Sequence, residues 1–167
     1  MKQEKEQVPI RYLPQTLSKR DKEKQAKLLK KSRSLYKKHQ YFARPSLSSF
    51  KSKKSNHIEN AKKIYHVSSV MPNKELAKKT GCTVATLKQI VKKGEGAYYS
   101  SGSRPNQTPQ SWGIARLASS ITAGKAAAVD YNILEKGCNH KKKAFQLAKQ
   151  SRKKYKYGHS KTRKVKI

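Results

Sequence analysis

Electrostatic self-repulsion limits how this chain can fold more than any other property does. Its 167 residues include 41 Lys or Arg against 9 Asp or Glu, a formal charge of +32. A compact body of this size carries such a charge unneutralised only against strong self-repulsion, so a polyanion partner is expected. Nucleic acid is the densest candidate, and each phosphate contact releases condensed counterions. A basic surface kept for solubility is the bland alternative, but solubilising surfaces mix both signs.

The charge is uneven. Residues 1–66 hold 19 basic and 5 acidic side chains, residues 67–138 hold 10 and 4, and residues 139–167 hold 12 and none. Like-charge blocks of this kind are expected as interaction arms. Only 34% of the chain is apolar. That supports a domain of roughly 70 residues rather than a core of ordinary size for the full length. The expected fold is therefore mainly α: a small helical domain containing a helix-turn-helix-like pair, flanked by long basic arms. Residues 1–55 form the N-terminal arm with a helix over about 19–43. Residues 56–138 form the helical core, with a long Ser/Gly/Pro loop over about 94–111, and 139–167 form the basic tail. Cys82 and Cys138 are too few for a secreted disulfide framework, which favours a reducing compartment. No apolar run approaches the roughly 20 residues that span a bilayer, so no membrane partner is expected. The start, MKQEKEQVPI, lacks the apolar centre of a signal peptide.

Local signals place the helices. Ser18 caps a run of good helix formers, with Asp21 in its first turn. Leu28, Leu35 and Phe42 recur every seven residues, with Leu29 and Tyr36 beside them, giving a narrow apolar stripe on a very basic helix. Lys30, Lys31, Arg33, Lys37 and Lys38 are its candidate phosphate contacts. Pro45 ends it, and a Ser/Lys linker leads to a short helix with Ile58, Ala61, Ile64 and Tyr65 on one side. His57 and His66, at its ends, are poorly spaced as a metal pair and are read as surface or capping residues.

The segment NKELAKKTGCTVATLKQIVKKG reads as helix, tight turn, helix. Asn73 caps the first helix, Gly81 permits the turn, and Thr83 caps the second. Leu76, Ala77, Val84, Leu87, Ile90 and Val91 face inward, and Gly94 is expected to end the second helix. Its outward side would carry Ala85, Thr86, Lys88, Gln89, Lys92 and Lys93, the hydroxyl, amide and ammonium groups that a recognition helix offers to bases and phosphates. The same pattern also occurs in small α domains that never touch DNA.

The loop that follows, GEGAYYSSGSRPNQTPQSW, is long for a connection between helices. It could cradle a phosphate with Arg104 and backbone amides, act as an ordered plug fixed by Tyr99 and Trp112, or form a protein contact. Ile114, Leu117, Ala118 and Ile121 then mark a helix closed by Gly124. Trp112 begins it and is expected in the core. An Ala-rich helix over about 125–135 follows, with Ala126, Val129, Ile133 and Leu134 inward. Asp130 is expected in an internal salt bridge with Arg116 or Arg104. In the tail, Arg152, Lys153, Lys154, Tyr155 and Tyr157 interleave cations with aromatics, a combination that suits stacking on unpaired bases.

The block GAYYSSGSRPNQTPQSWGIARLASSITAGKAAAVDYNIL resembles an uncharacterised family of large DNA viruses of algae and protists, with more distant relatives in phages of marine bacteria. The residues that carry the likeness are Arg104, Pro105, Trp112, Gly113, Ala115, Arg116, Gly124, Lys125 and Asp130, within a span from Lys74 to Cys138. The resemblance implies a viral origin and a virion or genome-packaging role. It implies a place in the virion, and in the host nucleus or a cytoplasmic virus factory during infection.

No catalytic constellation, cofactor motif or metal-ligand set is read from the residues. The nine acids offer no persuasive carboxylate pair, and Cys138 with His140 has no second pair of ligands. The leading expectation is a non-enzymatic, virion-associated protein that condenses or packages nucleic acid, DNA in preference to RNA. The alternative is a minor capsid or internal virion protein whose arms thread between or beneath capsid proteins. A sequence-specific regulator is a third, weaker reading.

Overall fold

In the computed structural model, the described residues are 6–52, 55–159 and 161–167. They are mainly helical, as composition predicts. Eight α-helices and one two-stranded sheet are present among them. The helices are α1 (Lys19–Lys37), α2 (Asn56–Tyr65), α3 (Lys74–Thr80), α4 (Val84–Ser100), α5 (Pro109–Ser120), α6 (Lys125–Val129), α7 (Tyr131–Gly137) and α8 (Lys143–Lys154). Strands β1 (Gln7–Pro9) and β2 (Lys164–Lys166) pair antiparallel, with Val8 opposite Val165. No helix among the described residues is long and apolar enough to cross a membrane.

The chain divides into two compact units. One comprises Met1–Lys53, Glu95–Pro109 and Lys161–Ile167, and the other Lys54–Gly94 and Gln110–Ser160. The first unit gathers α1, the sheet and the Ser/Gly/Pro loop. Ser18 caps α1 as expected, its Oγ accepting from Asp21 N at 3.2 Å. The helix stops at Lys37 rather than near residue 43. His39 has φ 59°, which already lies outside helical geometry. The face that α1 buries is not the heptad stripe. Asp21, Gln25, Leu29 and Ser32 are buried, while Leu28 and Leu35 are half-buried and Tyr36 is exposed. Each buried polar group has a partner. Gln25 Nε2 donates to Tyr12 O at 3.1 Å, and Asp21 accepts from Ser49 N and Oγ at 2.9 and 2.5 Å.

The loop expected over 94–111 is shorter, because α4 runs on through Gly94 and Gly96 to Ser100. What remains is tightly held within its own unit. Asn106 Oδ1 accepts from Leu47 N at 2.6 Å, and its Nδ2 donates to Leu47 O and Phe50 O at 3.2 Å. Ser103 and Pro105 are buried. Of the three readings of this loop, the ordered plug fits the geometry. Its anchors are Ser103 and Asn106, and Trp112 is half-buried rather than a core residue.

The second unit has a continuous apolar core. Tyr65, Leu76, Leu87, Ile90, Leu117, Ile121, Leu134 and Phe145 all belong to it. Gly94 does not end α4. A Cβ there would lie 2.6 Å from Gly113 Cα, so this glycine lets α4 and α5 approach backbone to backbone. The helix expected over 125–135 is broken at Asp130 into α6 and α7. Val129, expected inward, is 49% exposed.

Candidate nucleic-acid interface

In the helix-turn-helix-like pair, α3, the turn and α4 as far as Gly94 belong to the second unit. Asn73 Oδ1 accepts from Leu76 N at 2.9 Å and starts α3. Gly81 ends it with φ 78°, a left-handed geometry that a Cβ disfavours. Thr83 Oγ1 accepts from Thr86 N at 3.1 Å and starts α4. Leu76, Leu87, Ile90 and Val91 are buried, which fixes which side of α4 faces out.

Distant residues pin the turn between these helices. Cys82 and Cys138 are disulfide-bonded, with Cα atoms 3.9 Å apart. Thr83 N donates to Gly137 O at 2.9 Å, and Asn139 N donates to Gly81 O at 2.7 Å. The two cysteines that composition set aside therefore clamp the base of the candidate recognition helix. Their pairing runs against the expectation of a reducing setting. It rests on a fold contact between positions 56 residues apart, which no local pattern shows.

The outward face of α4 is narrower than its sequence suggests. Lys88, Gln89 and Lys92 are exposed. Thr86 is not available: it is 7% exposed, lies beneath Gly137, and shares a 2.8 Å hydrogen bond with Thr83. Gln89 borders a shallow depression that Thr86, Asn132, Ile133, Lys136 and Gly137 complete. Lys93 is exposed along part of its length, but its Nζ donates to Asp130 Oδ1 at 3.1 Å. Asp130 also accepts from Arg116 Nε at 2.7 Å and Nη2 at 2.8 Å. The salt bridge expected of Asp130 is thus present with Arg116, while Arg104 has no part in it. Lys93 is therefore paired with a buried carboxylate rather than free for contact.

The remaining candidates are scattered over both units. On α1, Lys30, Lys37 and Lys38 are exposed, and Lys31 is exposed with its Nζ 4.4 Å over the Phe42 ring. Arg33 is occupied within its unit: its Nε donates to Ser101 O at 2.8 Å, and Nη1 lies 3.7 Å from Glu6. Arg104 is exposed, with its pKa lowered by partial burial and by the like charge of Arg11. The cations expected in a loose tail are in fact the last turn of α8, where positive charge suits the helix dipole. Lys153 and Lys154 are exposed there. Arg152 lies between Tyr131 and Tyr157, 4.3 and 4.7 Å from the two rings. Tyr155 is half-buried, and Tyr157 is 61% exposed with one face given to Arg152.

Sequence reasoning missed a buried polar site built around Arg44. Arg44 is 8% exposed. Its Nη1 donates to Ser32 Oγ and Tyr98 O, and its Nη2 to Ser103 Oγ, each at 2.8 Å. The guanidinium lies 3.8 Å from the centroid of the Tyr98 ring, and Arg44 N donates to Tyr98 Oη at 2.7 Å. None of these partners carries negative charge, and burial lowers the pKa of Arg44. The only signal in the sequence is an isolated Arg before Pro45, which on its own does not mark a core residue.

A family of unknown function, DUF5824, matches residues 9–143. The chain belongs to that family. The match reaches well beyond the span from Lys74 to Cys138 that carries the sequence resemblance. It takes in α1, the plug loop and the α3–α4 pair, and ends at the start of α8. No curated protein and no solved structure matches the chain. Among the described residues, no group of three His, Cys, Asp or Glu side chains could hold a metal ion.

Proposed function

We propose that this protein is a non-enzymatic, virion-associated nucleic-acid binder that condenses or packages a genome by neutralising phosphate. Its charge balance carries the reading. Nine acids cannot offset 41 cations, and the excess of 32 positive charges favours a polyanion as partner. Exposed Lys30, Lys37 and Lys38 on α1, Lys88 and Lys92 on α4, and Lys153 and Lys154 on α8 are where phosphate would meet the chain. Lys88, Gln89 and Lys92 stand on a helix whose base is clamped by the Cys82–Cys138 bond, which favours a fixed contact in a duplex groove over a floating one. The buried acid Asp130 is saturated by Arg116 and Lys93, which supports a binding role over a catalytic one. The viral setting, and DNA in preference to RNA, rest on the sequence resemblance.

Duplex binding measured between about 50 and 200 mM salt tests this. Neutralising about ten phosphates gives a log–log slope near −9 with no sequence preference. K88A/K92A lowers the magnitude of that slope by about 2. Absence of duplex binding at about 100 mM salt overturns the proposal in favour of a minor capsid role. A preference of about 1,000-fold for one site points instead to a regulator.

A further inference from the structure

In the first unit, an exposed tyrosine stands on a braced aromatic stack. Tyr41 follows α1 and is 68% exposed. Its ring centroid lies 5.2 Å from Tyr99 and 6.2 Å from Tyr36, tilted in the first contact and edge-on in the second. Tyr99 meets Tyr98 edge-on at 5.2 Å. Tyr98 is fully buried and fixed by Arg44, which stacks on its ring and donates to its hydroxyl. The exposed ring is therefore the outer end of a stack rooted in the core, so little rotamer freedom remains to be lost on binding.

The setting defines what such a ring can receive. From Lys24 to Ile58 there is no Asp or Glu, while Lys30, Lys31, Lys37 and Lys38 lie on the last two turns of α1 and just beyond it. On the α4 side of the stack, Glu95 is an acid close enough to act on Tyr99, whose phenol pKa is raised by burial, Tyr98 and Glu95. A rigid aromatic face among cations matches one repeating ligand: a nucleobase on the ring with its phosphates on the lysines. A duplex keeps its bases stacked on one another and cannot present one to this ring.

We infer that Tyr41 is a stacking platform for an unpaired base, which makes the first unit a single-strand contact. This rests on the nucleic-acid reading above and deepens it. Duplex contact through α4 needs no exposed aromatic, whereas Tyr41 serves only a base that has left its pair. The Tyr98–Tyr99 pair, expected in a loop but found on the last turn of α4, supplies the brace.

The full chain is titrated with a 20-nucleotide oligo(dT) and with a 20-base-pair duplex at about 100 mM salt. Y41A weakens oligo(dT) binding by about 5- to 150-fold, the range of one lost base–aromatic stack. Duplex affinity and the salt slope for oligo(dT) stay within about twofold, because no phosphate contact is removed. Y41W keeps or tightens oligo(dT) binding, and 5-iodouridine in the oligonucleotide cross-links to Tyr41. Unchanged far-ultraviolet circular dichroism and melting temperature are expected for Y41A, since the ring is largely in solvent. An equal loss for both probes, or no loss for oligo(dT), overturns the platform while leaving the nucleic-acid reading intact. Failure of the wild-type chain to bind either probe overturns both readings.

Discussion

The two units of this protein differ in the proportion of polar to apolar groups that they bury. The second buries a continuous apolar cluster with a disulfide and one ion cluster, and its buried polar groups, Thr80, Thr86, Ser119, Ser120, Asp130 and Ser151, are a small share of what it buries. The first buries Val8, Tyr12, Leu29, Leu47 and Tyr98, but around them sit Asp21, Gln25, Ser32, Arg44 and Ser103. Apolar burial is non-directional, so it tolerates changes of shape. A buried polar cluster depends on every partner being in place, because one orphaned group costs more than a satisfied pair contributes. The comparison teaches that a lysine-rich segment with few apolar residues can still be ordered, provided its few core positions are hydrogen-bonded rather than greasy.

Removing the strongest constraint on one side sharpens the contrast most. The Cys82–Cys138 bond closes a loop across 56 positions of sequence, and its reduction should destabilise the second unit by about 4 kcal/mol. Hydrogen exchange with and without reductant should show the loss in α3, α7 and the first turns of α4, while α1 amides keep their protection. Equal loss in both units would mean that they do not differ as described.

Next in size is Asp130→Ala, which leaves Arg116 and Lys93 facing each other without their shared carboxylate. A cost of about 3 kcal/mol is expected in urea denaturation. Lys93→Ala should cost far less, since its side chain is 47% exposed and Arg116 keeps the bidentate pair.

In the first unit, Arg44→Lys removes the planar fork but keeps the charge. It should cost about 2 kcal/mol, because an ammonium cannot serve Ser32, Ser103 and Tyr98 O together while stacking on a ring. If Lys substitutes without loss, positive charge rather than hydrogen-bond geometry holds this unit.

The smallest effect is acid sensitivity confined to the first unit. Hydrogen bonds from the Ser49 side chain and backbone hold the Asp21 carboxyl below its usual pKa. Folding therefore favours the ionised form. This contribution is complete above the unfolded value near 3.9 and is lost as pH falls through the lower folded value. Asp21→Asn should flatten the stability profile below about pH 4 relative to the parent. An unchanged profile would remove Asp21 from the polar core.

Helices were legible where apolar burial sets the period, and misread where it does not. The faces of α4 and α5 follow from Leu87, Ile90, Leu117 and Ile121, all buried as their spacing demands. The face of α1 was assigned to Leu28, Leu35 and Phe42 with Leu29 and Tyr36 beside them, whereas of these Leu29 alone is buried, together with Asp21, Gln25 and Ser32. Polar residues give no period of their own, and their partners at Tyr12, Ser49 and Arg44 lie far away in the chain. Gly94 was read as a stop because glycine is a poor helix former, yet it lets two helices touch. Of the candidate contacts, Lys88, Gln89 and Lys92 lie in the open, whereas Thr86, Lys93 and Arg33 are held by Thr83, Asp130 and Ser101.

The sequence alone determined the helical class, the caps at Ser18, Asn73 and Thr83, and the surplus of positive charge. Each depends only on local preference or on a sum over residues. The tertiary structure alone decided which cations stay free, that Cys82 meets Cys138, and that Tyr41 projects from an aromatic stack fixed by Arg44. Those outcomes depend on contacts between residues far apart in the chain, and composition and periodicity carry no record of such contacts.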